Sequence, residues 1–296
     1  MKKILFVSTE DEGKRLDKFL AERLSPLSRA KIHSLIKEKT VLVGKEVKKP
    51  SFCLRKGDEI RVTLKEKEKN ELKPYDFAVK IIYEDQDILV VDKPSGLVVH
   101  PPQKHYHKTL INALLYLKKE LSSLDPLRPG VVHRLDKETS GVIVLAKNNE
   151  SHNNLVSQFK ERKVKKEYKA IVWGKIQKDK LTVDLPLIRD KKNRLKMKVG
   201  FLAPKKAHTD VEVIKRLKDS AYLLIKPTTG RMHQIRVHLK FLGFPIAGDK
   251  KYGLKDDCAE LLLHAENISF YHPRKGEQLK FNSPLPERFK NFIKEH

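Results

Sequence analysis

The chain has 296 residues, of which 39% are apolar and 34% are charged, and its formal net charge is +25. With only 13 Gly and 15 Pro, this composition excludes a disordered or fibrous chain and is sufficient for a packed core. No stretch approaches eighteen consecutive apolar residues, which excludes a membrane-spanning helix. At about 150 residues per domain, the length predicts roughly two domains.

The positive charge is the first indication of function. So large an excess repels itself in the folded state and is most simply explained by a polyanionic partner. RNA, DNA and an anionic lipid surface would all satisfy the charge alone, and a general lysine-rich bias of the organism is the alternative explanation.

The cellular setting is predicted from the chain's start and its cysteines. Residues 1–8 contain only a short apolar run, too short for a secretory signal. Cys53 and Cys258 are too far apart in sequence for a zinc motif and too few for a disulfide framework. We therefore expect a cytoplasmic protein.

The first part of the chain predicts a small α+β unit. Apolar residues recur at helical spacing over 15–24, and Ser28 is a suitable N-cap for a second, basic helix that exposes Arg29 and Lys31. Residues 41–47 predict a tight hairpin, and residues 56–62 predict a turn entering a last strand.

A charged stretch over 65–74 separates this part from the rest and predicts a linker. The predicted domains are therefore 1–64 and 75–296. Beyond the linker, apolar runs predict several buried strands mixed with a few helices, which favours an α+β fold with a mixed or antiparallel sheet. The predicted strands are 88–94, 141–146, 168–173 and 222–225, and the predicted helices are 110–121 and 151–160.

One polar block with chemical potential lies at residues 130–141, directly before a buried strand. If residues 131–136 form a strand, Arg134 and Asp136 project from the same face and His133 from the other. A carboxylate beside an arginine can stay ionised when partly buried. The alternative is an Arg–Asp pair that merely caps a turn.

A second block follows the strand that ends at Pro227. Its Thr-Thr-Gly turn predicts a helix that runs to Leu242 and carries Arg231 in its first turn, where a cation opposes the helix dipole. This indicates an anionic partner for Arg231, and a solvated basic helix is the alternative. His233 and His238 are five residues apart, so they do not form a zinc pair.

A basic segment at 189–198 predicts a hairpin or, equally, a solvated loop. Nucleotide-binding glycine motifs, the zinc-protease motif and the serine-hydrolase motif are all missing from the sequence. We therefore expect chemistry on carboxylate, tyrosine and arginine groups, with no cofactor and no metal.

The motifs of the first part resemble the S4 RNA-binding domain: RLDKFL at 15–20, SRAKIHSLIKEK at 28–39, the hairpin after Val41 and KGDEI at 56–60. The resemblance covers about fifty residues and implies RNA contact through the basic second helix. A generic small basic unit is the alternative.

The second part resembles the RluA-type pseudouridine synthases. HRLDKETSG at 133–141 is similar to the signature of that family, and four further blocks follow the family's order. With the S4-like first part, the chain looks most like the RluD/RluC branch, which acts on large-subunit (23S) ribosomal RNA. The other blocks are YEDQDILVVDKPSGL at 83–97, KEYKA at 166–170, TGRMHQIRVH at 229–238 and GDKKYG at 248–253, with LHA at 263–265.

This resemblance implies a role for individual residues. Asp136 falls on the family's essential aspartate, Arg134 on its flanking arginine, Tyr168 on the active-site tyrosine and Arg236 on the basic partner of the aspartate. We expect His133, Arg194, Arg231 and His233, with Arg29 and Lys31 of the first part, to contact RNA.

The predicted function is isomerisation of specific uridines in ribosomal RNA by a monomer, on a flipped-out base. Two alternatives remain open: a non-catalytic RNA-binding or assembly factor, and a transfer-RNA pseudouridine synthase. A binding protein would have no need of Asp136, Tyr168 and Arg236.

Overall fold

The structure is a computed structural model and describes residues 2–25, 27–63, 72–100 and 107–296. The contacts between residues divide the chain into two compact units, Met1–Asn70 and Glu71–His296. Of the predicted linker, residues 65–71 lie outside the described residues. Leu72 packs against the core of the second unit, and the carbonyl of Lys73 accepts a hydrogen bond from Asn112 at 2.6 Å.

The first unit consists of a three-stranded antiparallel sheet, in the order β1-β3-β2, and two helices. Leu16, Phe19 and Leu20 are buried on one helix face, as their spacing predicts. The Ser28 hydroxyl caps the second helix by accepting from the backbone N–H of Lys31 at 3.4 Å. The elements are β1 (Lys2–Phe6), a 3-10 turn (Thr9–Asp11), α1 (Leu16–Arg23), α2 (Arg29–Lys37), β2 (Val41–Val43) and β3 (Glu59–Thr63).

Two features of the first unit differ from the sequence prediction. The hairpin predicted over 41–47 is reduced to one bridge between Val43 and Glu46, because β2 forms its ladder with the distant β3 instead. The strand β1 was not predicted at all. Its residues Ile4 and Phe6 are exposed, whereas Leu5 packs against the core. Because apolar residues occupy both faces, the segment lacks the apolar–polar alternation that marks a half-buried strand in sequence.

The second unit is built on one large mixed sheet, in the order β4-β5-β6-β13-β7-β12-β11-β8, with β14 paired to β13. All of its pairs are antiparallel except β6 with β13. The predicted α+β class is therefore confirmed. The elements are β4 (Lys80–Glu84), β5 (Ile88–Lys93), α3 (Leu110–Tyr116), β6 (Ser140–Ala146), α4 (Asn149–Lys160), β7 (Lys165–Trp173), β8 (Lys180–Asp184), β9 (Leu187–Arg189), β10 (Met197–Val199), β11 (His208–Arg216), β12 (Ser220–Pro227), α5 (Gln234–Phe241), β13 (Leu263–Tyr271), β14 (Gln278–Asn282) and α6 (Glu287–Glu295).

Helices cover both faces of the sheet around β5 and β6. Ile143 and Leu145 pack with Leu114 of α3 on one face, whereas Val142 and Val144 pack with Leu155 of α4 on the other. Because successive residues of a strand point to opposite faces, a strand covered on both faces is apolar throughout. This explains why the sequence predicted β6 correctly.

The segment 131–136 is not the strand that was predicted. Only Val131 forms a bridge, to Leu145 of β6, and the residues after it are irregular. The side chain of His133 replaces a ladder partner here, since its Nε2 accepts from the backbone N–H of Val144 at 3.1 Å. The argument that Arg134 and Asp136 share a strand face was therefore wrong.

Two smaller expectations also changed. The helix predicted over 110–121 ends at Tyr116, and Lys118 then adopts a left-handed conformation with φ of 53°. The basic segment at 189–198 does form a hairpin, because β9 and β10 pair antiparallel. Among the described residues, no helix combines the length and the apolar character needed to cross a membrane.

Candidate active site

Four segments of the second unit line most of a cleft of about 540 Å³. They are the loop that leads into β6, the end of α4, the first half of β7, and the connection from β12 into the first turn of α5. Asp136, Tyr168 and Arg236 all line this cleft. The fold thus brings together three residues that the sequence resemblance had singled out on separate segments.

Asp136 and Arg236 face each other in the cleft. Nη1 of Arg236 donates to Oδ2 of Asp136 at 3.3 Å, and Oε2 of Glu138 lies 3.5 Å from the same nitrogen. Only 2% of the Arg236 side chain is exposed, compared with 17% for Asp136. The aspartate therefore has one side against a fixed guanidinium and another open to the cleft.

Asp249 fixes Arg236 from behind. Its carboxylate accepts two hydrogen bonds from the guanidinium, from Nη2 at 2.7 Å and from Nε at 2.8 Å, and both residues are buried. Burial alone would lower the pKa of Arg236, but the bonds to Asp249 hold that pKa above its ordinary value. Arg236 thus stays a cation, and the bidentate pair sets its orientation toward Asp136.

The loop that carries Asp136 is held through its carbonyl groups. The buried ammonium of Lys93 donates to the carbonyls of Lys137, Pro94 and Leu97 at 3.1, 2.7 and 2.8 Å. The backbone N–H of Gly96 also donates to the carbonyl of Lys137, at 2.9 Å. The segment after β5 therefore determines where the Asp136 loop lies.

Tyr168 and Lys166 stand two residues apart on β7, and both line the cleft. Burial and the negative charge of Asp136 raise the pKa of Tyr168 well above its ordinary value, so its phenol is neutral at neutral pH. Burial lowers the pKa of Lys166 to about 8.

A hydrogen-bonded chain connects the β9–β10 hairpin to His233, which lies beside Asp136. The backbone N–H of Met197 donates to the hydroxyl of Tyr252 at 2.7 Å, and that hydroxyl is 2.7 Å from Nδ1 of His233. Nε2 of His233 then lies 3.9 Å from Oδ2 of Asp136. His233 has a left-handed backbone with φ of 54°, a strained conformation for a residue that is not glycine.

The residues predicted to contact RNA occupy different environments. Arg134 is exposed at the cleft, and Arg231 is exposed with its Nε donating to the carbonyl of Lys206 at 3.1 Å. His133, in contrast, stacks on Phe159 with ring centroids 4.7 Å apart. Its ring is thus occupied within the protein.

The helix after the Thr-Thr-Gly turn begins at Gln234, so the placement of Arg231 in its first turn was wrong. The Gln234 side chain accepts from the Arg231 backbone N–H at 3.0 Å, which holds the preceding turn outside the helix. Arg194 is exposed in the turn between β9 and β10, and Lys31 is exposed on α2. The side chain of Arg29 lies outside the described residues.

One group among the described residues brings three potential metal ligands together: Asp85, Asp87 and His272. Their atoms are already engaged. Asp85 accepts from two backbone N–H groups, Asp87 accepts from Asn148 and Arg274, and His272 Nδ1 accepts from the backbone of Arg274. The group therefore forms a structural network and lies apart from the residues that line the cleft.

Sequence reasoning missed four residues of the site: Lys93, Lys166, Asp249 and Tyr252. All four lie inside blocks that the sequence analysis quoted. Asp249 follows Gly248, which has φ of 73° and whose Cβ, if present, would lie 2.0 Å from the carbonyl oxygen of Glu260. The glycine next to Asp249 was the signal available in the sequence. It does not identify Arg236 as the partner of that acid.

Comparison with known proteins places this cleft in a family context. The sequence model described as RNA pseudouridylate synthase matches residues 87–241, and the S4 domain model matches residues 14–60. A protein of Aquifex aeolicus named as an uncharacterized RNA pseudouridine synthase is 46% identical, over 99% of this chain and 98% of its own length.

Two further relatives agree with these matches. Ribosomal large subunit pseudouridine synthase D of Pseudomonas aeruginosa is 37% identical, over 94% of this chain and 90% of its own length. Among solved structures, human RNA Pseudouridylate Synthase Domain Containing 1 superposes with a TM-score of 0.59 at 29% identity, over 70% of this chain and 83% of the other.

Proposed function

This chain belongs to the RNA pseudouridylate synthase family, and we propose that its substrate is uridine in large-subunit (23S) ribosomal RNA. Members of the family are isomerases that convert uridine to pseudouridine in RNA. Several similar proteins carry the name ribosomal large subunit pseudouridine synthase D, including those of Neisseria meningitidis, Pseudomonas aeruginosa and Zymomonas mobilis. This substrate implies action in the cytoplasm, and we expect a monomer.

The observation that carries the proposed chemistry is the Asp136–Arg236 contact of 3.3 Å in an open cleft. Pseudouridylation breaks the bond from uracil N1 to ribose C1′, turns the base and joins C5 to C1′. The C5 proton leaves and N1 gains one, so the product is an isomer of the substrate. An ionised Asp136 could attack C1′ as a nucleophile or accept a ribose proton as a base.

Arg236 and Tyr168 have supporting roles in this proposal. Arg236 orients the carboxylate and balances its charge, because Asp249 fixes the guanidinium. Tyr168 offers an aromatic face and a neutral hydroxyl to the base. Its raised pKa argues against a phenolate that removes the C5 proton. Arg134 at the cleft completes the proposed catalytic set.

The basic surface would hold the RNA while the target base leaves its helix. Phosphate contacts supply the binding free energy that unstacking the base costs. In this proposal Arg134, Arg231 and Arg194 contact the RNA near the cleft, and His133 and His233 border it. The domain 1–64 would also bind RNA, through Arg29 and Lys31 on its second helix, while the domain 75–296 carries the reaction.

The experiment that tests this function maps pseudouridine in ribosomal RNA from cells lacking the gene. Carbodiimide treatment and primer extension should lose stops at one to three uridines of 23S RNA. A gene copy for the wild-type chain should restore them, whereas Asp136→Asn should not, because an amide is neither an effective nucleophile nor a base.

The purified Asp136→Asn chain should bind the mapped RNA within about threefold of the wild type, with turnover reduced at least about 10³-fold. If stops are lost only in transfer RNA, the substrate is transfer RNA and not 23S RNA. An unchanged pattern with altered ribosome assembly, or turnover by Asp136→Asn, would contradict the proposal.

A further inference from the structure

Lys166 lies in the wall between two neighbouring clefts. On one side is the cleft that holds Asp136, and on the other is a cleft of about 810 Å³ bordered by Lys206, Lys226 and His208. The two clefts share Lys166 and the Thr-Thr-Gly turn residues Thr228 and Thr229. A chain molecule could therefore pass from one cleft to the other across this lysine.

The ammonium of Lys166 lacks an anionic partner among the described residues. The ammonium donates a long hydrogen bond of 3.4 Å to the carbonyl of Thr229. No carboxylate oxygen of a described residue lies within 4.0 Å of it. The neighbouring acid Glu167 bonds Asn267 at 3.0 Å and lies 3.9 Å from Lys226. A half-buried ammonium without a nearby counter-charge is costly, so this position favours an anionic ligand.

The surroundings indicate which anion fits. Arg162 lines both clefts, and Lys206 lines the second one. Asp184 and Asp210 also line the second cleft, and their carboxylates lie 3.8 and 3.3 Å from His208. Cations thus border the path past Lys166, as a phosphodiester backbone would require.

The spacing along β7 relates this lysine to the reaction centre. Lys166 and Tyr168 are two residues apart on one strand, so they point to the same face, roughly 6.7 Å apart along it. That distance is short enough for one nucleotide to reach both, with its nucleoside against Tyr168 and a phosphate at Lys166.

We propose that Lys166 binds a backbone phosphate flanking the target uridine, and that the RNA strand continues from there into the second cleft. This inference rests on the proposed function, because it takes RNA as the substrate. Lys166 is then a substrate-binding residue that holds the flipped nucleotide over Asp136. Its role is electrostatic, and it takes no part in the bond exchange.

The test measures how RNA binding depends on salt. Full-length chains carrying Asp136→Asn, which prevents turnover, are titrated with an RNA hairpin containing the mapped uridine at several KCl concentrations. Lys166→Met keeps most of the side-chain length and removes the charge. It should weaken binding about fivefold at 100 mM KCl and reduce the slope of log K against log [KCl] by about 0.7–0.9.

Two matched variants control this measurement. Lys215→Met removes the same charge from an exposed position on β11 outside both clefts, and it should leave the slope within about 0.2 of the parent. Lys166→Arg keeps the charge and should retain the slope. If Lys166→Met leaves the slope unchanged, or Lys166→Arg loses it too, the proposal is wrong.

A second measurement identifies the phosphate itself. RNA in which one phosphate beside the target uridine is a neutral methylphosphonate should bind the parent chain about fivefold more weakly. The same RNA should bind Lys166→Met with no further loss, because the contact is already absent. Additive losses at both flanking phosphates would overturn the proposal.

Turnover of the mapped RNA by the chain with an intact Asp136 separates the two levels of inference. If that chain isomerises uridine, but Lys166→Met in it changes kcat and not KM, the enzyme function stands and the phosphate role fails. If it has no turnover while the binding slopes change as expected, the proposed function fails and the phosphate contact stands.

Discussion

At the scale of single residues, the site depends on how one arginine is held. Arg236 contacts three carboxylates, but the geometry is unequal: Asp249 accepts two short bonds, whereas Asp136 accepts one of 3.3 Å. The tighter pair therefore fixes the guanidinium, and the looser one leaves Asp136 with a side open to the cleft. The proposed reaction at Asp136 needs such a rigid supporting residue behind it.

Asp249→Asn tests that arrangement. The amide can accept one of the two bonds but removes the buried negative charge, so we expect kcat to fall at least about tenfold while RNA affinity changes less than about threefold. The free energy of unfolding should fall by about 3 kcal/mol, since the change leaves a buried cation partly unpaired. Single-turnover kinetics and urea unfolding measure the two effects.

The control for this prediction is Asp219→Asn. Asp219 is 63% exposed and lies 3.4 Å from Lys175, so this surface pair should contribute at most about 1 kcal/mol. Equal effects of the two substitutions, or full activity of Asp249→Asn, would show that Arg236 does not depend on Asp249.

At the scale of elements, the parallel contact between β6 and β13 positions the loop that carries Asp136. Gly141 pairs with Ala265 at this contact, and a Cβ on Gly141 would lie 2.1 Å from the carbonyl oxygen of Ala265. The two backbones can approach this closely only because the residue is glycine, with φ of 119°. The close approach of the two backbones thus explains why the last residue of the HRLDKETSG block is glycine.

Gly141→Ala should therefore lower the free energy of unfolding far more than the addition of one methyl group suggests. We expect a loss of more than about 3 kcal/mol in unfolding free energy, together with reduced activity as the Asp136 loop shifts. Trp173, the one tryptophan of the chain, lies on β7 and reports unfolding of this unit by fluorescence.

Gly276→Ala is the matched control for Gly141→Ala. Gly276 also has a positive φ, of 73°, but a Cβ there would meet open space. It should cost only about 1 kcal/mol, the strain of a left-handed backbone alone. Similar losses for the two alanines would mean that β6 and β13 can move apart without penalty.

At the scale of the whole molecule, two histidines that stay neutral in the folded state make stability depend on pH. Burial, with the positive charge of Lys166, lowers the pKa of His133 to about 3. Burial, with Arg134 and Arg128, lowers the pKa of His100 to about 4. In the unfolded chain both groups bind protons below about pH 6.5. Stability is therefore lost as pH falls through 6.5, because the unfolded state takes up protons that the folded state does not.

The size of this effect can be measured on one histidine. At pH 5 the difference in proton binding at His133 should amount to about 2 kcal/mol. In His133→Gln, whose amide oxygen can still accept from Val144, the stability lost between pH 7.5 and pH 5 should shrink by about that amount. A loss identical to that of the wild type would show that His133 does not carry this pH dependence.

The sequence by itself determined much of this protein. Local patterns located the helices α1 to α5 and the strands β5, β6, β7 and β12 of the large sheet, because a residue's burial repeats with the geometry of its own element. The other strands of that sheet, among them the central β13, were not predicted. The ordered blocks around Asp136, Tyr168 and Arg236 identified the family and its chemistry, and the excess of lysine and arginine indicated a polyanionic partner.

Only the tertiary structure decided how those residues act on one another. The order of the sheet brings Asp136 and Arg236 together across one hundred positions of sequence. It also pairs Asp249 with Arg236 and turns His233 toward Asp136. Within the part of the chain that the structure describes, it leaves Lys166 with no carboxylate oxygen within 4.0 Å. These pairings follow from distance and burial between separate elements. Local patterns in a sequence carry no record of such contacts, so the resemblance could name the acid but not the residues that hold it.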